Sequence, residues 1–359
     1  MTIFVKPSAK IELAHRALYS AYGLNSGLLA FASAKGNVTV VGLEHTVQTT
    51  FQRPYKIKGI AVHPTLPLLG IVEGEENHLV IVDIDGIVIH QSPPAETDEP
   101  LDYDFDGSGS CHFESDGLHL WYARTGLNDD IELQWLDPKT WRVVYQLAID
   151  DPYGTSHISL HSTSTPGQIA LWLAAGQDGQ QVYWLSIGHE GIVCKIEPLL
   201  EDTMPPVFSP SGDEFLAIDD EVINKYQFPD VRLAGTYKWA EDGGEEAGYV
   251  LSYINEAEAL TNSFKGRLYL LDLATMSLSD EVSLEGHEPQ PRPVYYPTLS
   301  DDGRKCTNVS GMEKFGDTLI FTFCRHQGEN ISDWQDTLLF APLTAFRAEE
   351  QALEVPVYC

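Results

Sequence analysis

The stretch VFSPSGDEFLAI, residues 207–218, sets two short apolar segments around a Ser-Pro-Ser-Gly turn, and its relatives recur along the whole chain. AVHPTLPLLGIV (61–72), CHFESDGLHLWYA (111–123) and ISLHSTSTPGQIALWLAA (158–175) repeat it clearly. AYGLNSGLLAFAS (21–33), LSYINEAEALTN (251–262) and PTLSDDGRKCTNV (297–309) repeat it faintly. An apolar run, a cluster of turn residues and a second apolar run together specify a β-hairpin. Anchored on Asn25, Thr65, Asp116, Thr165, Ser211, Asn255 and Asp302, the copies lie about 46 residues apart. A period of that size marks a repeat architecture, because one unit alone cannot bury its apolar faces.

The segments after each hairpin decide between the repeat architectures. A third strand comes next in most units, as in NVTVVGLE, HLVIVDID, IELQWLDP, QQVYWLSI, VINKYQFP and GRLYLLDL. A fourth often succeeds it, as in RVVYQLAI, GIVCKIEP and RLAGTYKW. Four antiparallel strands per unit make a propeller blade, whereas solenoid repeats carry a helix or a single strand. The expectation is an all-β chain, residues 1–359 forming one seven-bladed β-propeller domain. A ring of blades must be joined end to end, and the usual device completes one blade from both termini so that no free edge remains. The last blade reads as RKCTNV, DTLIFTFCR and DTLLFAPL, with an outer place open that Ile3–Val5 or Leu353–Tyr358 could fill. The N-terminal strand is the preferred candidate.

The chain resembles the WD40-type propellers, in divergent form. That family's Gly-His element, followed by a strand and a Ser-x-Asp-Gly turn, is echoed in LEGHEPQPRPVYYPTLSDDGR by Gly286, His287 and the turn Ser300–Gly303. Its Trp-Asp strand ending is echoed by QWLDP, with Trp135 and Asp137, and by VDIDG and LLDLA. The resemblance spans nearly the whole chain and implies a protein-interaction platform.

Composition narrows the partner. The net charge is −31, from 53 acidic against 22 basic residues, a field that repels nucleic-acid backbones and anionic lipid. No apolar run approaches membrane-spanning length, and MTIFVKPSAK has no apolar core of the secretory kind. Five scattered cysteines without a CxxC pair encode neither a disulfide framework nor a zinc ribbon. A cytoplasmic monomer is the expectation.

Candidate chemistry is sparse. GxSxG, GxxxxGK[ST], HExxH and a Gly-rich dinucleotide turn are all absent. Asp102, Asp104 and Asp106 before Gly107 match half a calcium loop, but Phe113 stands where the closing Glu belongs. Leu101, Tyr103 and Phe105 alternate with those aspartates, as in a half-buried strand. His157 and His161, four apart, would converge on a metal from a helix; on a strand that spacing spans about 13 Å. GHEG at 188–191 reads as a strand-connecting turn. Trp121, Trp135, Trp172 and Trp184 lie in apolar strands and are expected to pack between blades. No cofactor, catalytic residue or metal ligand is expected.

A binding face follows from strand alternation. Turns joining first to second and third to fourth strands emerge on one side of the disc, and the remaining connections emerge on the other. LNSG, PTLP, ESDG, SPSG, DIDG and DPKT make the first side short. The second side collects long acidic segments, which supply Glu73, Glu75, Glu76, Asp98, Glu99, Asp129, Asp130, Glu241, Asp242, Glu245 and Glu246, with Trp239, Tyr295, Tyr296 and Trp334 as aromatic anchors. Long loops on a rigid scaffold are where binding residues tend to be placed. The expected function is a non-catalytic scaffold or adaptor that receives a protein partner with a basic surface. The alternatives are a propeller enzyme of lactonase or hydrolase type acting at the mouth of the central channel, and an acidic inhibitor or immunity-type protein.

Overall fold

A computed structural model describes residues 2–93, 108–126, 130–154, 156–219, 222–239, 247–263, 266–287, 307–325 and 335–346. Two short strands come first, β1 (Thr2–Val5) and β2 (Ala9–Glu12). Seven sheets succeed them. Blade one is β3 (Tyr19–Gly23), β4 (Leu28–Ala32), β5 (Asn37–Gly42) and β6 (Val47–Gln52); blade two is β7 (Ile57–Val62), β8 (Leu68–Glu73), β9 (His78–Asp83) and β10 (Val88–Gln91). Blade three is β11 (Gly109–Phe113), β12 (Leu120–Thr125), β13 (Asp130–Asp137) and β14 (Arg142–Asp150); blade four is β15 (His157–Ser162), β16 (Gln168–Ala174), β17 (Gln180–Gly188) and β18 (Gly191–Ile196). Blade five is β19 (Val207–Phe208), β20 (Glu214–Asp219), β21 (Val222–Gln227) and β22 (Arg232–Lys238); blade six is β23 (Ala247–Tyr253), β24 (Glu258–Ser263), β25 (Leu268–Asp272) and β26 (Ser277–Leu284). Blade seven is β27 (Thr307–Phe315), β28 (Thr318–Arg325) and β29 (Gln335–Pro342), completed by β2. The blades stand around a common axis as a seven-bladed β-propeller.

Burial explains the strand sequences. Second and third strands meet neighbouring blades on both faces and therefore read as unbroken apolar runs, LLAFA in β4 being buried at every position. Outermost strands alternate half-buried with exposed residues, as in RVVYQLAID of β14. The core lies between blades: Trp121, Ala123 and Leu133 of blade three pack with Ile158, Leu160 and Ile169 of blade four. Trp184 of blade four sits against Phe215 and Phe228 of blade five, ring centroids 5.9 and 5.5 Å away. The tryptophans thus serve the packing role expected of them.

Two expectations are corrected. Ile3–Val5 does not close the ring: β1 runs parallel to β26, Thr2 beside Glu281, as a fifth strand on blade six. The closing strand is β2, antiparallel to β29 with Ile11 opposite Leu338, and Ile11 and Leu13 are buried with Leu29, Phe31 and Phe340. Leu353–Tyr358 lies outside the described residues. The last hairpin is also displaced. Its turn is Gly316–Asp317, between β27 and β28, with Phe315 paired to Thr318, while Asp302 and the Ser300–Gly303 turn fall outside the described residues, ahead of β27. The other six anchors each lie between the first and second strands of a blade.

Candidate functional site

Within each blade consecutive strands are antiparallel, so the β8–β9 turn and the connection leaving β22 emerge on the same side of the disc. In the β8–β9 turn, Gly74 takes φ +81° and Asn77 φ +52°, and the Asn77 N–H donates to the Gly74 carbonyl at 3.3 Å. This tight geometry puts Glu75 and Glu76 in solvent, with the Glu76 carboxylate 3.1 Å from His78 Nε2.

Glu73, two residues earlier, belongs to the scaffold. It is 2% exposed, and Arg53, from the connection between blades one and two, grips it with two bonds: Nε to Oε2 at 2.9 Å and Nη2 to Oε1 at 2.7 Å. Such a bidentate pair fixes both side chains. Trp239 is likewise no rim anchor. It is 4% exposed and packs edge-on against Tyr237 and Tyr269, at centroid distances of 5.6 and 5.8 Å. Asp130 opens β13, half-buried and opposite Asp150 of β14. Asp98, Glu99, Asp129, Glu241, Asp242, Glu245, Glu246, Tyr295, Tyr296 and Trp334 lie outside the described residues, as do Asp102, Asp104 and Asp106. Of the expected set, the structure places Glu75 and Glu76 together on an exposed turn.

Two further clusters stand out, the first not singled out from sequence and the second built around the His157–His161 pair. In the first hairpin turn of blade three, Glu114, Asp116 and His119 bring ligand atoms within 4.8 Å of one another. The Glu114 carboxylate is already engaged. Its Oε1 accepts the indole N–H of both Trp121 and Trp135, each at 2.9 Å, and its Oε2 lies 3.3 Å from His119 Nδ1. His119 stacks on Trp135 at 3.6 Å between centroids. Carboxylate, two indoles and imidazole thus satisfy one another as a knot closing the hairpin, and Asp116 Oδ1 accepts the Leu118 N–H at 2.8 Å.

The second cluster lies on the innermost strands of blades three and four, which run side by side. His157, Ser159 and His161 share one face of β15, and His161 Nε2 lies 2.7 Å from Ser159 Oγ. Across the blade boundary, the Ile158 and Leu160 N–H groups donate to Ser108 Oγ and Ser110 Oγ at 2.8 and 3.2 Å. Burial pushes the His112 and His161 imidazoles down to about 4, with the proximity of His112 and His157 adding to the shift at His161. Both rings are therefore neutral at pH 7. The described thiols are poor nucleophiles, because burial raises Cys194 to about 11 and Cys324 to about 12 and pushes Cys111 up as well. Ser159 Oγ and His161 Nε2 are within the reach of a nucleophile and its base, but burial leaves the His161 imidazole a weak base. The free cysteines Cys111, Cys194 and Cys324 form no disulfide with one another, and among the described residues no helix is long and apolar enough to cross a membrane.

No family model and no curated protein matches the sequence. In shape, the chain is similar to the β-propeller domain of Cps50 (Swd1) from Myceliophteria thermophila, with a TM-score of 0.59, 12% identity, and 93% of this chain and 98% of that one covered. The fold is therefore shared with that β-propeller domain. At that identity the likeness speaks for the fold alone. Because 1166 solved chains match, shape by itself selects no partner.

Proposed function

We propose that this protein is a non-catalytic interaction platform whose long-loop face receives a protein with a basic surface. The observation that carries the reading is the exposed Glu75–Glu76 pair on the β8–β9 turn, on the side of the disc from which the acidic segments 92–104 and 240–246 also depart. Glu73 and Trp239 support that face from below without meeting the partner. Clustered carboxylates on a chain of net charge −31 speed encounter with a basic surface and make the complex sensitive to salt. The likeness in fold to a WD40-type propeller supports the same reading.

The test compares three proteins as baits: wild type, a long-face reversal (Glu75, Glu76, Glu245 and Glu246→Lys) and a short-turn reversal (Asp85 and Asp213→Lys). Asp85 and Asp213 are exposed turn residues of the opposite side, whereas Glu114, tied to two tryptophans, would disturb the fold. The long-face variant is expected to lose capture of the wild type's partner at an unchanged melting temperature, and rising salt to weaken wild-type capture. Loss in the short-turn variant instead would assign binding to the other side.

A further inference from the structure

We propose that the seam between blades five and six encloses a short chain of internal water, held by Trp239 Nε1, Thr261 Oγ1 and Ser263 Oγ. These three atoms are fully buried and have no hydrogen-bond partner among the described residues. Their residues are 4%, 0% and 0% exposed. Strand register brings them to one place. Thr261 of β24 lies directly opposite Tyr269 of β25, and Ser263, two residues on, projects from the same face of the sheet. That face is turned toward blade five, because Leu251, Tyr253, Ala259 and Leu271 on it pack with Leu216, Ile218 and Ile223. Trp239, just past the end of β22, reaches in from the blade-five side to meet Tyr269 edge-on.

The chemistry names the occupant. A buried polar group without a partner is rare in a native fold, and convergent ones are met by ordered water. An indole N–H only donates, so the occupant must accept; the two hydroxyls do either. Water meets all three demands. Thr261 and Ser263 are separated by a two-residue strand step of about 7 Å, longer than one molecule spans, so the geometry calls for two waters in line. The site lies at the long-loop end of the seam, beneath the point where the chain leaves Trp239 for 240–246.

The sign of a stability change decides the matter. Thr261→Val keeps the shape and removes the hydroxyl. If that hydroxyl faces no partner, the change is neutral or stabilising; if it holds water, the water is left under-bonded and stability falls. A fall of several degrees in the melting temperature is expected for Thr261→Val, and a smaller fall for Ser263→Ala. An unchanged or raised melt in Thr261→Val overturns the proposal. Oxygen-17 magnetic relaxation dispersion on the intact protein gives the second measurement. Fewer long-lived waters in Thr261→Val than in wild type support the proposal; an equal number alongside a lowered melt shows that a solute other than water fills the seam, and overturns it.

Discussion

Asp336→Asn tests how the ring is fastened. Asp336 stands near the start of β29, 1% exposed, and holds the chain that leads from β2 into blade one by three bonds. Its carbonyl accepts the Leu13 N–H at 2.8 Å and its own N–H donates to the His15 carbonyl at 3.2 Å. Its Oδ2 accepts the Ala17 N–H at 2.7 Å. Burial lifts the carboxyl to about 6, although the Ala17 N–H, the Arg16 charge and the Cys324 thiol all pull it back. A folded-state pKa above the unfolded one means that the stabilisation is complete below about pH 4 and is lost as pH rises to about 6, a change of about 3 kcal/mol. Asparagine keeps the acceptor for Ala17 and cannot ionise. Urea unfolding of both proteins between about pH 4 and pH 8 should therefore show the variant gaining about 3 kcal/mol on wild type across that window and then running parallel to it. A difference that stays flat with pH would mean that the carboxyl is not held against ionisation, and the reasoning about the clasp would fail.

Three further outcomes are expected. His112 and His161, held down at about 4, stabilise the fold above the ordinary histidine range and lose that contribution as pH falls from about 6.5 toward 4; His161→Asn should flatten the acid limb of the stability curve, and an unaltered limb counts against the assignment. Glu73→Gln breaks the buried pair with Arg53 and should cost about 3–5 kcal/mol, while Glu75→Gln and Glu76→Gln stay within about 0.5 kcal/mol; equal effects in a denaturant series would erase the division between scaffold and rim. Deleting residues 1–5 removes β1 and leaves four strands in every blade, so a folded protein with a lower melt is expected. Deleting residues 1–13 bares the edge of β29 and should produce aggregation, and two deletions that melt alike would show that β2 does not close the ring.

The pattern of hairpins was legible because it is local: a turn residue flanked by apolar runs needs no knowledge of distant chain, and six anchors fall at the corresponding turn of successive blades. Where the reading failed, the deciding contact was remote. TIFV looks the better strand and AKIE the poorer one, yet pairing follows the open edge each can reach, and β29 lies more than 300 residues away. Gly316–Asp317 carries none of the Pro or Ser that marks most of the other turns, whereas SDDG carries the familiar turn signature. In EGEE, nothing within the four letters distinguishes the glutamate that enters the core from the pair that stays outside. Arg53, at the joint between blades, makes that choice, and Tyr269 does the same for Trp239. A propeller assembles its faces from connections between blades, so the strands of a blade can be read one repeat at a time, whereas the exposure of its rim depends on the neighbouring blade. The acidic face is therefore best sought in residues that the blade joints leave unclaimed, and Glu75 and Glu76 meet that condition.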